Sequence, residues 1–149
     1  MKVKELGEFG LIELLAKLVS GETQKATGRP DASGFRLLLG IGDDTAAWKS
    51  VPSTELFTTD TMVQDVHFVL HRIGWRDLGW KSMVVSLSDV AAMGCSPTFA
   101  IVTLGLKHDH EVDDLLELYR GMLDACDRFG GAIIGGDVVR SPVLFVTVA

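Results

Sequence analysis

The sequence predicts a mixed α+β domain in which strands outnumber helices. Three segments have the residue spacing of helices, and six short runs of apolar and β-branched residues are typical of strands. In chain order these elements read αβββαβαββ, without the regular alternation of a doubly wound parallel sheet. A chain of 149 residues, 47% of them hydrophobic, is long enough to bury the core of one such domain.

The three helices are predicted from apolar periodicity. Leucines and a valine recur at i, i+3, i+4 and i+7 across residues 11–19, and Gly21 is placed to end that helix. The segment Trp75–Met93 is apolar on most sides, which indicates a buried helix. The clearest helical face lies across residues 112–129, and a pair of glycines closes it.

The predicted strands are short and are separated by turn-forming residues. Residues 21–34 are polar and without periodicity, which predicts a mobile loop before the first strand. The strands are placed at Arg36–Ile41, Thr45–Lys49, Glu55–Thr59, Phe99–Leu106, Ala132–Gly135 and Val143–Val148. Because the last one stops in the middle of an apolar run, we expect residues 1–149 to be a single domain of a longer protein.

Composition and charge argue against several classes of function. The formal net charge is −6 and no basic patch is present, which argues against nucleic-acid binding. No apolar run approaches the ~18–20 residues that span a bilayer. The amino terminus lacks the apolar core of a secretory signal, so we expect a cytoplasmic protein without a membrane partner. The two cysteines, Cys95 and Cys126, suit neither a disulfide framework nor a zinc cluster, and we expect small buried hydrophobes.

Aspartates interrupt elements that otherwise carry apolar residues. They lie in four short segments, Gly42-Asp43-Asp44-Thr45, Thr58-Thr59-Asp60-Thr61, Ser88-Asp89 and Gly135-Gly136-Asp137. Two buried carboxylates about 5 Å apart repel by roughly 3 kcal/mol at an effective dielectric near 20. The nearby bases Lys49, Lys81 and Arg140 are too few to neutralise four or more converging acids. Oxygen ligands of this kind select Mg²⁺ over zinc, so convergence of the segments would predict metal-assisted phosphate chemistry.

The predicted buried helix also carries a narrow stripe of small and polar residues. Gly79, Ser82, Ser86 and Asp89 follow one another at steps of three, four and three residues, which places them on one face. The stripe therefore ends at one of the aspartates just named.

Each candidate residue also has a purely structural interpretation. Asp44 and Asp137 follow glycines closely and could lie in turns that their own side chains stabilise, whereas Asp89 could form a local cap or pair. His67 lies beside apolar residues and could be a satisfied structural histidine. Tyr119 lies on the apolar stripe of its helix, where a core position is the default. The sequence contains neither a complete G-x-G-x-x-G fingerprint nor a P-loop.

Five segments together resemble a known family. They are GEFGLIELL at 7–15, GIGDDTA at 40–46, TTDTMVQDVHF at 58–68, LSDVAAMGCSPTFA at 87–100 and IGGDVVR at 134–140. In this order they resemble the amino-terminal domain of the thiamine-monophosphate kinases, a family within the superfamily of aminoimidazole ribonucleotide synthetase. The resemblance implies a mixed or antiparallel sheet with helices packed on one face. It also implies a homodimer in which the sheets of two copies form a shared barrel.

The resemblance further implies an activity and a set of site residues. The family transfers the γ-phosphate of ATP to thiamine monophosphate, giving thiamine diphosphate, with Mg²⁺ ions in the site. The matching metal ligands are Asp44, Thr58, Thr59, Asp60, Asp89 and Asp137. Gly136 and Asp137 match the nucleotide contacts, Tyr119 matches a contact made from the partner subunit, and His67 matches the contact to the thiamine substrate. No side chain is identified as a covalent catalyst, because the substrate phosphate itself would attack ATP.

The chain also departs from the family pattern. Family members continue into a second domain that supplies further contacts, so we expect this chain alone to bind nucleotide weakly and to have little or no activity. Two alternatives remain open at this point. One is another ATP-using enzyme of the superfamily, such as aminoimidazole ribonucleotide synthetase, selenophosphate synthetase or the hydrogenase-maturation relative. The other is a non-catalytic dimerisation or binding module.

Overall fold

The computed structural model describes residues 1–26, 36–41, 46–50 and 54–149. Its helices are α1 (Val3–Ala26), α2 (Trp75–Ala92) and α3 (Val112–Phe129), with a short 3₁₀ turn at Leu70–Arg72. Its strands are β1 (Arg36–Leu39), β2 (Ala47–Lys49), β3 (Asp60–Val63), β4 (Phe99–Leu106), β5 (Ala132–Arg140) and β6 (Phe145–Val148). The predicted order of helices and strands is therefore confirmed within the described residues.

The strands form two sheets. β1 and β2 pair as an antiparallel hairpin, and the other four strands form one sheet in the order β3-β6-β4-β5. In this larger sheet β4 and β5 are parallel, whereas β6 is antiparallel to both β3 and β4. The predicted α+β class with a mixed sheet is confirmed.

The core lies between the helices and one face of the larger sheet. Val102, Leu104 and Leu106 of β4 are each at most 3% exposed and belong to one cluster with buried side chains of all three helices. Ile101, which alternates with them along β4, is 43% exposed. Because side chains alternate across a strand, the sheet has a helix-covered face and an open face.

α2 and α3 pack closely because glycines face each other's backbone. A Cβ atom added at Gly79 would lie 1.8 Å from the carbonyl oxygen of Leu118, and one added at Gly121 would lie 1.8 Å from that of Arg76. The same pair of helices is joined by an ion pair between Arg76 Nε and Asp124 Oδ2 at 2.7 Å. This close contact fixes the position of α2, which carries the stripe of small and polar residues.

Several predicted boundaries in the first half of the chain are wrong, including the end of the first strand, which lies at Leu39 and not at Ile41. Gly21 does not end the first helix, which continues to Ala26 and has its kink at Gly7, where φ is 76°. Helix-compatible residues follow Gly21, so the glycine alone does not stop the helix. Residues 21–26 of the predicted loop at 21–34 are therefore helical, and residues 27–34 lie outside the described part. Residues 55–59 form no strand, because the pairing with β6 begins only at Asp60.

In the second half of the chain the element types are correct, but β5 is longer than predicted and β6 is shorter, since it begins at Phe145 and not at Val143. β4 and α3 have the predicted bounds, whereas β5 continues from Gly135 to Arg140. Its parallel pairing with β4 extends it through the glycine pair and Asp137. No helix among the described residues is long and apolar enough to cross a bilayer.

Candidate functional site

Two of the predicted aspartate segments meet where β3 approaches the end of α2. Thr58 Oγ1 donates a hydrogen bond of 2.8 Å to Asp89 Oδ2. Ser86 Oγ donates one of 3.1 Å to Asp60 Oδ2. We call Thr58, Asp60, Ser86 and Asp89 the Asp60–Asp89 cluster. It contains oxygen atoms only, as a site for a hard cation requires.

The fold positions these side chains through strand register and helix periodicity. Asp60 is the first residue of β3 and pairs with Val148, which is 1% exposed on the helix-covered face. Paired residues share a face of the sheet, so Asp60 points towards α2. On α2, Ser86 and Asp89 are three residues apart and lie on the same helix face.

Ser86 was not among the predicted site residues. It is 5% exposed, and its hydroxyl also lies within hydrogen-bond distance of the Val148 carbonyl oxygen, at 3.2 Å. Its position in the stripe three residues before Asp89 was the available sequence signal. That signal did not reveal the partner, because the contact depends on the register of β3 against β6.

The expectation that the aspartates are buried is wrong for two of them. Asp60 is half-buried, but Asp89 and Asp137 are exposed. Water screens their charges, so repulsion between buried carboxylates does not by itself require a cation here. The oxygen-only chemistry of the cluster, and not a desolvation cost, is therefore what fits Mg²⁺.

The structure does not bring Asp137 to the cluster within one chain. Asp137 pairs with Thr103, which pairs with Thr147, which pairs with Thr61. This row lies on the face opposite to Asp60, and the edge strands β3 and β5 are about 14 Å apart at ~4.8 Å per strand.

The remaining predicted metal ligands are not gathered with the cluster either. Thr59 is exposed, and Asp44 lies outside the described residues. Within the described ranges, no group of three His, Cys, Asp or Glu side chains is close enough to hold a metal ion. The cluster therefore contributes two carboxylates and two hydroxyls, and the metal roles of Asp44, Thr59 and Asp137 stay predictions.

Gly136 and Tyr119, the two other predicted nucleotide contacts, each have a structural role in the fold. A Cβ atom at Gly136 would lie 1.9 Å from the Val102 carbonyl oxygen, so the pairing of β5 with β4 requires a glycine there. Tyr119 is 5% exposed in the core, and burial raises the pKa of its phenol. In this chain Tyr119 is a core residue, and the nucleotide contacts of Gly136 and Tyr119 stay predictions.

His67 lies in a tight turn after β3 that fixes its ring. The backbone N–H of Val63 donates a 3.0 Å hydrogen bond to His67 Nδ1, and Lys81 Nζ donates one of 3.0 Å to the His67 carbonyl oxygen. Asp65 in the same turn has φ 64°, a left-handed conformation that is uncommon outside glycine. A neutral ring that accepts at Nδ1 carries its proton on Nε2, so the exposed His67 can donate from that atom. Its substrate role stays a prediction.

An apolar cleft of about 450 Å³ adjoins the cluster and shares Thr58 and Ser86 with it. Trp48 and Phe99 contribute to its wall with ring centroids 5.5 Å apart. Cys95 also borders the cleft and is exposed, contrary to the expectation that both cysteines are buried. Cys126 is buried as expected, and burial raises the pKa of its thiol to about 12.

Three comparisons relate this chain to known proteins. The thiamine-monophosphate kinase of Aquifex aeolicus (strain VF5) is 34% identical over 148 residues, which cover 99% of this chain and 42% of that protein. The crystal structure of thiamine-monophosphate kinase from Stenotrophomonas maltophilia K279a has a TM-score of 0.71 at 32% identity, over 88% of this chain and 40% of that one. A structure of AaThiL complexed with AMPPCP and TMP has a TM-score of 0.58 at 30% identity, over 99% of this chain and 42% of that one.

These relatives define what the similarity covers. The chain spans less than half the length of each of them. A family model described as AIR synthase related protein, N-terminal domain, matches residues 42–149, a range that includes every predicted site residue from Asp44 to Asp137. The chain therefore belongs to the AIR synthase related proteins, whose N-terminal domain it matches.

Proposed function

We propose that this chain is the ATP- and Mg²⁺-binding part of a thiamine-monophosphate kinase. The reaction transfers the γ-phosphate of ATP to thiamine monophosphate and yields thiamine diphosphate. The observation that carries the proposal is the Asp60–Asp89 cluster, in which two of the predicted metal segments come together through hydrogen bonds. Similarity to a structure complexed with AMPPCP and TMP supports the choice of nucleotide and acceptor.

Mg²⁺ would be held by the carboxylates of Asp60 and Asp89 and the hydroxyl of Thr58. These atoms fit a hard cation because they are all oxygens and include no competing sulfur or imidazole ligand. When bound, Mg²⁺ neutralises charge on the phosphates of ATP. The chain's own residues then need only to bind and orient the two anionic reactants, since the acceptor phosphate is itself the nucleophile. Asp44, Thr59 and Asp137 are proposed as further ligands.

The open face of the larger sheet supports a homodimer as part of this proposal. Ile101 and Val139 are 43% and 38% exposed on this face, and β3 and β5 are the edge strands of the sheet that the described residues form. Covering such a face and closing its edges with a second copy would form a barrel. If β5 of one copy lies beside β3 of the other, Asp137 would approach its partner's β3.

A calorimetric titration of the chain with Mg-ATP tests the proposal. We expect weak, Mg²⁺-dependent binding that Asp60→Asn abolishes, because the substitution removes a charged ligand. The matched control is Asp127→Asn, which makes the same change of charge at an exposed position on α3. Binding that is equally strong in the presence of a chelator, or unchanged in Asp60→Asn, would overturn the proposal.

A further inference from the structure

We infer that Ser86 is a positioning residue that orients the Asp60 carboxylate for a divalent cation. The inference rests on the proposed function, because it assumes that the Asp60–Asp89 cluster binds Mg²⁺. Ser86 itself is not offered as a ligand. It acts through Asp60, by a hydrogen bond from a hydroxyl that the fold buries.

The Ser86 hydroxyl lies between two hydrogen-bond acceptors. Ser86 Oγ lies 3.1 Å from Asp60 Oδ2 and 3.2 Å from the Val148 carbonyl oxygen. A serine hydroxyl has one proton, so the two acceptors share a single donor. Because Ser86 holds Asp60 through Oδ2, the second carboxylate oxygen, Oδ1, is the one that would meet the cation. The hydrogen bond can then persist when the cation binds, which a positioning role requires.

Ser86 also connects α2 to two strands of the sheet. Asp60 begins a strand at the edge of the described sheet, where the pairing of β3 with β6 holds its backbone. The Ser86 hydroxyl ties α2 to both strands of that pair, through the Asp60 side chain and the Val148 backbone. Asp89 lies three residues further along the same helix. One hydrogen bond thus sets the position of Asp60 relative to Asp89.

The consequence can be estimated from other metal sites. Partners that hydrogen-bond to a ligand carboxylate fix its orientation, and their removal typically costs 10–100-fold in metal affinity. Without the Ser86 hydroxyl, the Asp60 side chain regains rotamer freedom at the point where the cation must meet it. We expect a loss of affinity in that range for Ser86→Ala.

Ser82 provides a matched control one helical turn earlier. It is 1% exposed on the same helix, but its hydroxyl donates to the Leu78 carbonyl oxygen at 2.8 Å and not to a carboxylate. Ser82→Ala and Ser86→Ala therefore remove the same buried atom from one helix, and both should lower thermal stability in the absence of metal. Only Ser86→Ala is expected to weaken the binding of Mg²⁺.

The experiment is a calorimetric titration of the chain with Mg²⁺ alone, on wild type, Ser86→Ala and Ser82→Ala. We expect dissociation constants raised by about 10–100-fold in Ser86→Ala and by less than about threefold in Ser82→Ala. Ser86→Thr keeps the hydroxyl and should restore most of the affinity. Ser86→Cys has a side chain of similar size whose thiol is only a weak hydrogen-bond donor, so its affinity for Mg²⁺ should fall as well. This variant provides the test if Ser86→Ala does not fold.

The outcomes separate this inference from the proposed function. If the wild-type chain binds no Mg²⁺, the proposed function fails and the inference fails with it. If the wild-type chain binds Mg²⁺ and Ser86→Ala binds it equally well, the inference alone is overturned. An equal loss in Ser86→Ala and Ser82→Ala would also overturn it, because the effect would then come from helix packing.

Discussion

At the scale of single residues, the candidate site depends on pairs of side chains that are distant in sequence. Thr58 and Asp89 are separated by 31 positions, and Asp60 and Ser86 by 26. Each pair joins a residue at or just before the start of β3 to one in the last turns of α2. The site therefore exists only when strand and helix are docked, and substitutions that leave the docking intact can test the chemistry separately from the fold.

Asp89→Asn should abolish Mg²⁺-dependent nucleotide binding without a large change in stability. The amide oxygen of asparagine can still accept the Thr58 hydrogen bond, and the exposed position of Asp89 means that little charge repulsion is relieved. Thermal unfolding in the absence of metal measures the stability, and calorimetry with Mg-ATP measures the binding. A large loss of stability without metal would instead identify Asp89 as a structural residue.

His110 should make the fold sensitive to mild acid. Burial lowers the pKa of this half-buried imidazole, and its Nε2 atom has no hydrogen-bond partner among the described residues. Because the folded state binds the proton less tightly than the unfolded chain, stability should fall as the pH drops below about 6.5. We expect His110→Phe, which keeps a ring against Trp75, to flatten this part of the profile of melting temperature against pH.

The control for this profile is His108→Gln, at an exposed histidine of the same loop. This substitution should leave the difference in melting temperature between pH 7.5 and pH 5.5 as large as in the wild-type chain. If His110→Phe keeps the full acid sensitivity, another group causes it.

The sequence could indicate the chemistry of the site but not all of the residues that form it. Asp60 and Asp89 were predicted because charged residues are unusual at the ends of apolar elements. Ser86 was missed because a buried serine in a helix most often bonds to its own helix, as Ser82 does. Asp137 was grouped with the other aspartates because the predicted strand ended at Gly135 and did not include it. The alternation of side chains along the strand therefore could not show on which face of the sheet Asp137 lies.

At the scale of secondary-structure elements, the contact between α2 and α3 determines where the site residues of α2 lie. The helices approach closely at Gly79 and Gly121, where any side chain would meet the backbone of the opposite helix. Gly79 and Ser86 belong to the same stripe of α2, and Gly79 holds its amino-terminal half against α3. Close helix packing and the metal cluster thus use different parts of one face.

Gly79→Ala should destabilise the protein by about 2–3 kcal/mol, because its Cβ atom cannot be placed without moving one helix. Gly21→Ala is the control with the opposite expected sign. Gly21 lies inside α1 and has nothing within 4 Å of an added Cβ, so alanine should stabilise the helix by about 0.5–1 kcal/mol. Urea unfolding of both variants measures the two changes. Equal effects of the two substitutions would contradict the close packing of α2 and α3.

Most element types were predictable, whereas their ends depended on tertiary contacts. α3 and β4 were placed correctly because α3 has a clear apolar face and β4 is a run of apolar and β-branched residues. Residues 55–59 have strand-like composition, but they form no strand and pair with no strand among the described residues. The end of β5 at Arg140 follows from its pairing with β4, which local sequence does not encode.

At the scale of the whole molecule, the open face of the sheet is the surface on which the proposed dimer depends. Phe145 lies over Gly105 on this face, where a Cβ atom would come within 2.0 Å of its ring. Ile101 and Val139 are exposed beside them. Apolar side chains on a sheet face are typical of a surface that another copy or another protein covers.

Ile101→Lys should convert a dimer into a monomer, because it places a charge in the centre of the proposed interface. Val66→Lys is the control, since Val66 is 74% exposed in the turn after β3 and lies away from the sheet face. Light scattering coupled to size-exclusion chromatography measures the mass of each variant. A monomeric wild-type chain, or a dimer that Ile101→Lys does not affect, would contradict the proposed barrel.

Folding is proposed to gather Thr58, Asp60 and Asp89 into one cation site. Paramagnetic broadening by Mn²⁺, which accepts the same oxygen ligands as Mg²⁺, tests it most directly on the ¹⁵N-labelled chain. We predict that substoichiometric Mn²⁺ selectively broadens the amide resonances around these three residues, and that excess Mg²⁺ reverses the effect. The proposed site would be contradicted if broadening were centred on Asp113 and Asp114, in the acidic first turn of α3, and were absent at β3 and at the end of α2.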